Sequence, residues 1–395
     1  MIKVKIVYPD YKNCSVNLSN SILKHYGVRT KHPTLQAVDE ALTKNYRNVV
    51  LVVYDGLGSN LLQQHLGSDS FLRKAKAADI TSVFPATTTA ATTSLLTGMT
   101  PIEHGWLGWD IYFESVDKIV TVYLNTVKGK NKQAAKHHLA KTELPITTII
   151  DQINKSGVAK GYWISPFKDD VLASAVKSGT KKSINLINYD FNNLDTFFKN
   201  LEALCSTNEQ KFIYAYCIEP DSLMHQLGTK DKRVTNLINY LDQKTAELNE
   251  KLEDTLLIIT ADHGHITAGE YFYLNEYPHI QNMLTKHTSF EQRCVNFFVA
   301  KNQHINFENE FKKNFGDYFS LYTKQEVKDE QLFGPGIPHE KSDSFLGDYL
   351  AVATSNKSIM DHRVSNPMKG THSGVLADET IVPLIMVAKP KAGHP

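Results

Sequence analysis

Three apolar stretches of the sequence each run into an aspartate within a few residues. They are NVVLVVY (residues 48–54) before Asp55, KFIYAYCI (211–218) before Asp221, and TLLIIT (255–260) before Asp262. A continuous, β-branched apolar run is typical of a strand buried on both faces of a parallel sheet, and ligands bind at the carboxyl end of such strands. A carboxylate buried there is costly unless its charge is paired or holds a metal ion. Metal ligation explains all three aspartates together.

Three histidines accompany these aspartates at spacings that also suit metal ligation. They are His225, four residues after Asp221; His263, in the run Asp262-His263-Gly264-His265; and His372, in a loop before the apolar run Thr380 to Val387. Residues four apart at a helix start face the same side and can converge on one ion. A tight turn before a glycine can aim both members of an adjacent pair inward. Histidine nitrogen with carboxylate oxygen suits zinc first, and manganese or iron less well.

A threonine-rich segment supplies hydroxyl groups for a nucleophile. The segment FPATTTAATTSLLTG (residues 84–98) predicts a helix that begins after an extended Phe-Pro pair and has Gly98 as its C-cap. A hydroxyl at that helix start meets the positive end of the helix dipole and free N–H groups, which favour a bound phosphate. Metal coordination would lower the pKa of the hydroxyl and activate it.

Each motif taken alone also fits a structural role. A Thr/Ala-rich helix is more often a packing element, Asp55-Gly56 is ordinarily a turn, and His225 also suits a surface position. Only the joint occurrence of the motifs, with the aspartates at predicted strand ends, argues for chemistry.

Composition limits the partners and the compartment. The 395 residues include 43 basic and 42 acidic side chains, which leave a net charge of +1. We therefore predict no stable nucleic-acid partner and no membrane association, so local charge, such as a metal ion, must hold an anionic substrate. The four cysteines form no CxxC pair and the first residues contain no apolar signal segment, which predicts free thiols and a cytoplasmic location. We expect a monomer or a homodimer.

The order of predicted elements favours an α/β fold. Helical patterns separate the apolar strands at residues 92–97, 147–155, 194–203 and 232–251, which is typical of a doubly wound, mostly parallel sheet. The residues before Asn48 suggest a peripheral strand or loop. Between His265 and Thr371 the sequence changes to short aromatic-rich runs. We therefore predict a catalytic core of residues 1–265 and 366–395, and a small inserted β/α accessory or cap subdomain of residues 266–365.

In this combination and order, the motifs resemble the type I phosphodiesterase/nucleotide pyrophosphatase branch of the alkaline phosphatase superfamily. The resemblance runs from Asn48 to about Lys391, apart from the variable insertion. It implies an alkaline-phosphatase-like core with helices on both faces of the central sheet. It also implies two divalent metal ions, most simply Zn²⁺ with Mn²⁺ as the alternative. One ion would be held by Asp55, Asp262, His263 and the nucleophile, and the other by Asp221, His225 and His372.

The resemblance also selects a nucleophile. Members of the family place the nucleophilic threonine ten residues before the glycine of a Thr-Gly pair. Counting back from Gly98 selects Thr88 rather than its neighbours Thr87 and Thr89.

One feature departs from the nucleotide-cleaving members, which have an asparagine downstream of a His-Gly pair that donates to a phosphate oxygen. After His104-Gly105 the corresponding place in this sequence holds Trp109. Either a backbone N–H or water replaces the amide, or the substrate differs from a plain nucleotide. Trp106 and Trp109 also suit core or lid positions.

The resemblance predicts a metal-dependent hydrolase that cleaves phosphodiester or pyrophosphate bonds of a small molecule or nucleotide through a phosphothreonine on Thr88. Two divalent cations and three aspartates leave a formal charge of +1, and no arginine or lysine adjoins Thr88. A monoanionic diester therefore suits the site better than a dianionic monoester. The alternatives are a phosphomonoesterase or phosphonate hydrolase of the same superfamily, or a metal-containing binding protein without activity. A sulfatase is disfavoured because the sequence has no Cys-x-Pro-x-Arg segment.

Overall fold

Two seven-stranded sheets organise the chain in the computed structural model, which describes residues 5–168, 171–175 and 185–391. We call them the central sheet and the accessory sheet. From edge to edge, the strands of the central sheet are Lys76–Thr81, Ile381–Lys389, Thr255–Thr260, Asn48–Tyr54, Lys211–Cys217, Lys160–Ser165 and Asn185–Asn188. Only Ile381–Lys389 runs against the others within these described strands. The predicted mostly parallel α/β sheet is confirmed.

The three predicted apolar strands lie side by side at the middle of the central sheet. Every residue of Asn48–Tyr54, Lys211–Cys217 and Thr255–Thr260 is buried. Tyr54 pairs with Cys217 and Val53 pairs with Thr260, so the three strands end at one edge of the sheet. Parallel neighbours thereby deliver the three following aspartates to a common place.

Helices cover the central sheet and connect its strands. The longer ones are Ser15–His25, Thr88–Thr97, Ile149–Ser156, Asp195–Cys205 and Lys232–Lys251, and the shorter ones include Gln36–Leu42, Ser59–His65 and Asp221–Leu227. Lys232–Lys251 has the predicted bounds. Thr88–Thr97, which we call the threonine helix, begins four residues earlier than the apolar pattern predicts, and Gly98 closes it with a φ of 67°. No helix within the described ranges has the length and apolar character needed to cross a membrane.

The segment before Asn48 contains helices where the sequence suggested a strand or loop. Ser15–His25 packs beside the threonine helix and buries polar side chains as well as apolar ones. The Ser19 hydroxyl donates to the Leu95 carbonyl at 2.7 Å, and the Asn20 amide donates to the Gly98 carbonyl at 2.8 Å. These bonds satisfy carbonyl groups that the end of an α-helix leaves without partners.

The accessory sheet joins two distant parts of the chain. Its strands, in spatial order, are Phe319–Thr323, Tyr349–Ala353, Cys294–Phe297, Ser289–Phe290, Asp110–Phe113, Lys118–Thr121 and Thr126–Val127. Helix His304–Phe315 packs its phenylalanines against one side. Since three of these strands precede residue 266, the sheet is not built from residues 266–365 alone. The division into a core and an inserted subdomain stays a prediction.

Two short strand pairs connect loops that lie outside the two large sheets. Ile266–Thr267 pairs with Gly370–Thr371, and Tyr271–Tyr273 pairs with Ser358–Met360. The first pair joins the segment after Asp262 to the segment before His372. All four cysteines are free thiols, and all four are buried.

A buried ion pair anchors the loop that follows His372. Both side chains of Arg293 and Glu379 are fully buried, and Arg293 Nε donates to Glu379 at 2.6 Å. The two terminal nitrogens of the Arg293 guanidinium donate to the carbonyls of Ser355 and Lys357. Glu379 also accepts from the Gly374 N–H at 2.8 Å. The pair therefore ties the accessory sheet to the edge of the central sheet.

We expect Glu379→Gln to lower the free energy of unfolding by about 3–5 kcal/mol, because it leaves the Arg293 charge buried and unpaired. Urea unfolding in a fixed metal state measures the change. The control is Glu202→Gln, which breaks a surface pair with Lys251 and should cost below about 1 kcal/mol. Equal effects of the two variants would contradict a structural role for the buried pair.

Candidate metal centre and nucleophile

The three strand-end aspartates converge, and close backbone packing brings them together. Gly56 follows Asp55 with a φ of 73°, a conformation that a side chain rarely adopts. A Cβ atom on Gly56 would lie 2.9 Å from the Cβ of Asp221. Glycine at this position thus permits both the turn and the approach of the second aspartate.

The first cluster consists of Asp55, Asp262 and His263, and it faces Thr88. His263 Nε2 lies 3.3 Å from Asp55 Oδ1 and 3.5 Å from Asp262 Oδ2. The Thr88 hydroxyl oxygen lies 3.2 Å from the same nitrogen. The potential donor atoms of the three cluster residues lie close enough together to share one metal ion.

The second cluster consists of Asp221, His225 and His372. His225 Nε2 lies 3.1 Å from Asp221 Oδ2, and His372 Nε2 lies 4.0 Å from Asp221 Oδ1. These three residues also present atoms that could hold one ion. The His263 and His372 rings stack with centroids 3.8 Å apart, so the two clusters adjoin. All seven residues predicted from the sequence are therefore brought together.

The histidines share one orientation. Their Nδ1 atoms lie within hydrogen-bond distance of backbone carbonyls: His225 to Gly370 at 2.9 Å, His263 to Gly264 at 2.9 Å, and His372 to Ala86 at 3.0 Å. A carbonyl can only accept, so Nδ1 donates in each case and Nε2 is the nitrogen that faces the clusters. Such outer bonds fix the tautomer and ring direction of metal-ligating histidines.

In Asp55 and Asp262, one carboxylate oxygen accepts hydrogen bonds and the other does not, an arrangement that fits bound cations. The Tyr216 hydroxyl donates to Asp55 Oδ2, and the N–H groups of Gly56 and His263 donate to Asp262 Oδ1. Within the described ranges, the buried oxygens Asp55 Oδ1 and Asp262 Oδ2 accept no hydrogen bond, and Asp221 Oδ1 is approached by His265 Nε2 at 3.1 Å. Buried carboxylate oxygens without donors are expensive, and divalent cations are the natural partners for them. The residues thus fit the two metal ions that the sequence predicts.

The pKa shifts of the cluster residues also indicate that negative charge exceeds positive charge in the site. Burial raises the pKa of Asp55 well above its ordinary value, and the charges of Asp262 and Asp221 raise it further. Burial likewise raises the pKa of Asp262. Burial also opposes ionisation of Asp221, but His225 and His265 outweigh it and hold that pKa well below its usual range. Burial lowers the pKa of His372, which keeps its imidazole neutral and able to bind a metal ion.

Thr88 is the first residue of the threonine helix and is half-buried. The first hydrogen bond within this helix runs from the Ala91 N–H to the Thr87 carbonyl, so earlier N–H groups lack intrahelical acceptors. The neighbouring hydroxyls are directed elsewhere: Thr87 donates to Glu291 at 2.7 Å, and Thr89 is fully buried. These positions support Thr88 as the nucleophile among the three threonines.

A cavity of about 190 Å³ opens beside Thr88. Its walls are mostly aromatic and include Trp109, Tyr123, Trp163, Tyr214 and Tyr216. Exposed apolar side chains stand at its margin: Trp109 is 38% exposed, Phe167 48% and Leu124 60%. No lysine or arginine is among the described residues that line it.

The two tryptophans that follow His104-Gly105, where the sequence differs from the nucleotide-cleaving members, take different positions. Trp106 is fully buried, and its indole N–H donates to the Leu144 carbonyl, so it belongs to the core. Trp109 lines the cavity, and its backbone N–H donates to Glu291 at 2.8 Å. That N–H is thus already engaged and does not simply replace the missing asparagine amide.

Three further residues adjoin the clusters without having been predicted. His265 is fully buried, with Nε2 3.1 Å from Asp221 Oδ1, and Tyr216 holds Asp55. The histidine lies inside the predicted motif, so its position was a usable signal. Glu291 reaches the site from the accessory sheet, and nothing in its neighbouring sequence marks it.

The central sheet and the paired Asp/His clusters define an alkaline-phosphatase-like hydrolase. Residues 49–374 match the type I phosphodiesterase / nucleotide pyrophosphatase family, and the chain belongs to this metal-dependent family of phosphoric ester hydrolases. The family predicted from the sequence is confirmed. No curated protein sequence is significantly similar to the chain.

Solved structures share the fold at low sequence identity. An inactive form of murine ectonucleotide pyrophosphatase / phosphodiesterase 5 in complex with AMP is 17% identical, with 87% of each chain covered and a TM-score of 0.60. Phosphonoacetate hydrolase from Sinorhizobium meliloti 1021 in complex with phosphonoacetate is 14% identical, with a TM-score of 0.64. The match covers 89% of this chain and 92% of that one. These likenesses establish the architecture alone.

We expect Asp262→Asn to stabilise the metal-free protein, because it removes one of three mutually repelling buried charges. The same variant should bind one zinc ion fewer per chain, and lose part of the zinc-induced stabilisation. That stabilisation is about 2.7 kcal/mol for a site at a hundredfold excess of zinc over its Kd. Thermal unfolding with chelator and with zinc, together with elemental analysis, measures both effects.

The control for Asp262→Asn is Asp317→Asn, at an exposed position remote in sequence from the clusters. It should change neither zinc content nor stability. Unchanged zinc content in Asp262→Asn would remove this residue from the ligand set.

Proposed function

We propose that the chain is a two-metal phosphodiesterase or nucleotide pyrophosphatase that acts through a covalent phosphothreonine on Thr88. One observation carries the proposal: a threonine hydroxyl at a helix start lies 3.2 Å from the histidine of the first cluster, and the second cluster adjoins it. We assign Asp55, Asp262, His263 and Thr88 to one ion, and Asp221, His225 and His372 to the other.

The donor set favours zinc, because imidazole nitrogen and carboxylate oxygen are its preferred ligands alongside thiolate. Bound divalent cations would neutralise the carboxylates, lower the pKa of the Thr88 hydroxyl and stabilise charge on the phosphoryl oxygens. The outer hydrogen bonds to Gly370, Gly264 and Ala86 carbonyls would hold the imidazoles in direction before the ions bind.

The chemistry of the chain's own residues proceeds in two in-line displacements. The Thr88 hydroxyl gives its proton to solvent and its Oγ attacks phosphorus, so that a P–O bond forms while the bond to the leaving oxygen breaks and that oxygen departs as an anion or takes a proton from water. N–H groups at the start of the threonine helix, which lack intrahelical acceptors, would donate to the non-bridging oxygens. Water then attacks the phosphothreonine from the opposite side and releases Thr88. Two inversions leave the configuration at phosphorus retained.

The cavity beside Thr88 supports a substrate class. Its aromatic walls and apolar margin suit a flat or apolar group attached to the phosphoryl centre, such as a nucleobase or an aryl group. The absence of lysine and arginine from the described lining residues argues against a carboxylate or second phosphate in this cavity. A monoanionic diester therefore fits better than a small dianionic phosphonate or monoester, and a pyrophosphate would fit with its second phosphate outside this cavity.

We also propose a cytoplasmic location, because four buried free thiols suit a reducing compartment. A monomeric or homodimeric state and the lack of a stable nucleic-acid partner remain predictions from the near-neutral composition. Size-exclusion chromatography with light scattering measures the first.

Thr88→Ala should abolish phosphodiester hydrolysis while retaining most of the bound zinc, because the other proposed ligands are untouched. Thr89→Ala should retain activity, since Thr89 points into the core. Steady-state kinetics and elemental analysis give the two readouts. Wild-type protein that binds no metal and hydrolyses nothing would instead favour a binding protein.

The wild type should hydrolyse bis-p-nitrophenyl phosphate with a higher kcat/KM than p-nitrophenyl phosphate. The reason is that two divalent cations facing three carboxylates leave little positive charge for a second phosphate charge. Both esters release the same chromophore, so a single assay with added zinc or manganese compares them. A large advantage for the monoester would assign the chain to the phosphomonoesterase alternative.

A further inference from the structure

Glu291 projects from the accessory sheet toward the proposed nucleophile. It directly follows strand Ser289–Phe290, and its N–H donates to the Cys294 carbonyl at 3.0 Å across the turn. Its Oε1 atom accepts the Thr87 hydroxyl at 2.7 Å and the Trp109 N–H at 2.8 Å. One carboxylate oxygen thus contacts the residue next to Thr88 and the residue at the place of the family's phosphate-binding asparagine.

The backbone holds Glu291 in this position by an uncommon conformation. Phe290 has a φ of 68°, which is an outlier for a bulky side chain. Phe290 is buried, and a Cβ atom on Gly108 would lie 2.8 Å from its Cα. Its ring meets Phe333 edge to face with centroids 5.8 Å apart. Strained positions of this kind persist only where the surroundings enforce them, and they concentrate at functional sites.

The Glu291 carboxylate has no ion-pair partner among the described residues. The salt bridges of the described ranges include no contact to it. Burial raises the pKa of Glu291 to about 7, and the hydrogen bonds from Thr87 and Trp109 and the charge on His225 act in the opposite direction. Divalent cations in the two clusters would favour its ionised form, since nearby positive charge stabilises a carboxylate.

We propose that Glu291 is a specificity-determining residue that selects monoanionic phosphodiesters by repelling the second negative charge of a phosphomonoester. This inference rests on the proposed function, because it assumes that phosphate binds beside Thr88. The Glu291 carboxylate accepts the hydrogen bond of the Trp109 N–H, so this N–H does not donate to a phosphate oxygen. It also places a negative charge against Thr87, one residue from the nucleophile, and within electrostatic reach of the proposed ligand His225. Both effects penalise a dianion more than a diester.

The test compares a dianion with a monoanion of similar size on the zinc-loaded protein. Glu291→Gln keeps an acceptor oxygen for Thr87 and Trp109 but removes the charge. It should bind inorganic phosphate about tenfold more tightly, which corresponds to about 1.4 kcal/mol, and dimethyl phosphate within about twofold of wild type. Isothermal titration calorimetry gives both affinities. The ratio of kcat/KM for the diester to that for the monoester should fall by a similar factor.

Two further variants separate charge from structure. Glu291→Ala removes both the charge and the two hydrogen bonds, so a purely structural role would weaken both ligands in this variant and neither in Glu291→Gln. Glu270→Gln neutralises an exposed carboxylate and should leave the phosphate-to-dimethyl-phosphate affinity ratio unchanged. An unchanged ratio in Glu291→Gln overturns the proposal.

Failure of the proposed function has a different signature from failure of this inference. A wild type that hydrolyses neither ester with zinc or manganese contradicts the proposed function. The two binding affinities still report on Glu291 in that case, because they require no turnover.

Discussion

Repulsion among three buried carboxylates is the constraint on which the rest of the site depends. Asp55, Asp221 and Asp262 end neighbouring strands, so the geometry of a parallel sheet forces them together. The protein supplies donors to one oxygen of Asp55 and of Asp262 and leaves the other buried without one. Such an arrangement is unfavourable for a metal-free protein and favourable for one that holds two cations. The cost of burying these carboxylates is therefore concentrated at the edge of the sheet where the two candidate metal sites lie.

The strands deliver the carboxylates, but other elements must position the remaining groups. His372 depends on the short strand pair at Gly370–Thr371 and on the Arg293–Glu379 ion pair behind its loop. Thr88 depends on a helix whose far end is satisfied by side chains of Ser15–His25. The precision of the site therefore comes from contacts between segments far apart in the sequence. These supporting contacts are mostly polar and buried, and a buried polar group is costly when its partner is lost.

The sequence predicts the parts of this arrangement that follow local rules. Uninterrupted apolar runs identify the central strands, and the four-residue spacing of Asp221 and His225 identifies one helix start. Helix Ser15–His25 is not predicted, because its buried face carries serines and asparagines whose partners lie in other segments of the chain, such as the Leu95 and Pro33 carbonyls. Glu291 escapes for a related reason: it enters the site through strand pairing between Phe290 and Asp110, which no local pattern encodes. The choice of Thr88 needed the family spacing, and the hydroxyl directions then supported it.

The proposed metal ligands adjoin the central sheet, whereas Glu291 belongs to the accessory sheet, so the two sets of residues can change separately. The six aspartates and histidines of the two clusters lie in loops beside the central sheet or in helix Asp221–Leu227, whereas the accessory sheet contributes Glu291 and holds the Trp109 segment against it. Changes in the accessory sheet can alter the charge and shape that meet the substrate without moving a single proposed metal ligand. The proposed chemistry and the proposed selectivity are thus carried by different elements, and Glu291 connects them through its hydrogen bonds with Thr87 and Trp109. A substitution at Glu291 replaces none of the proposed metal ligands, so the proposed selectivity can change separately from the metal-binding residues.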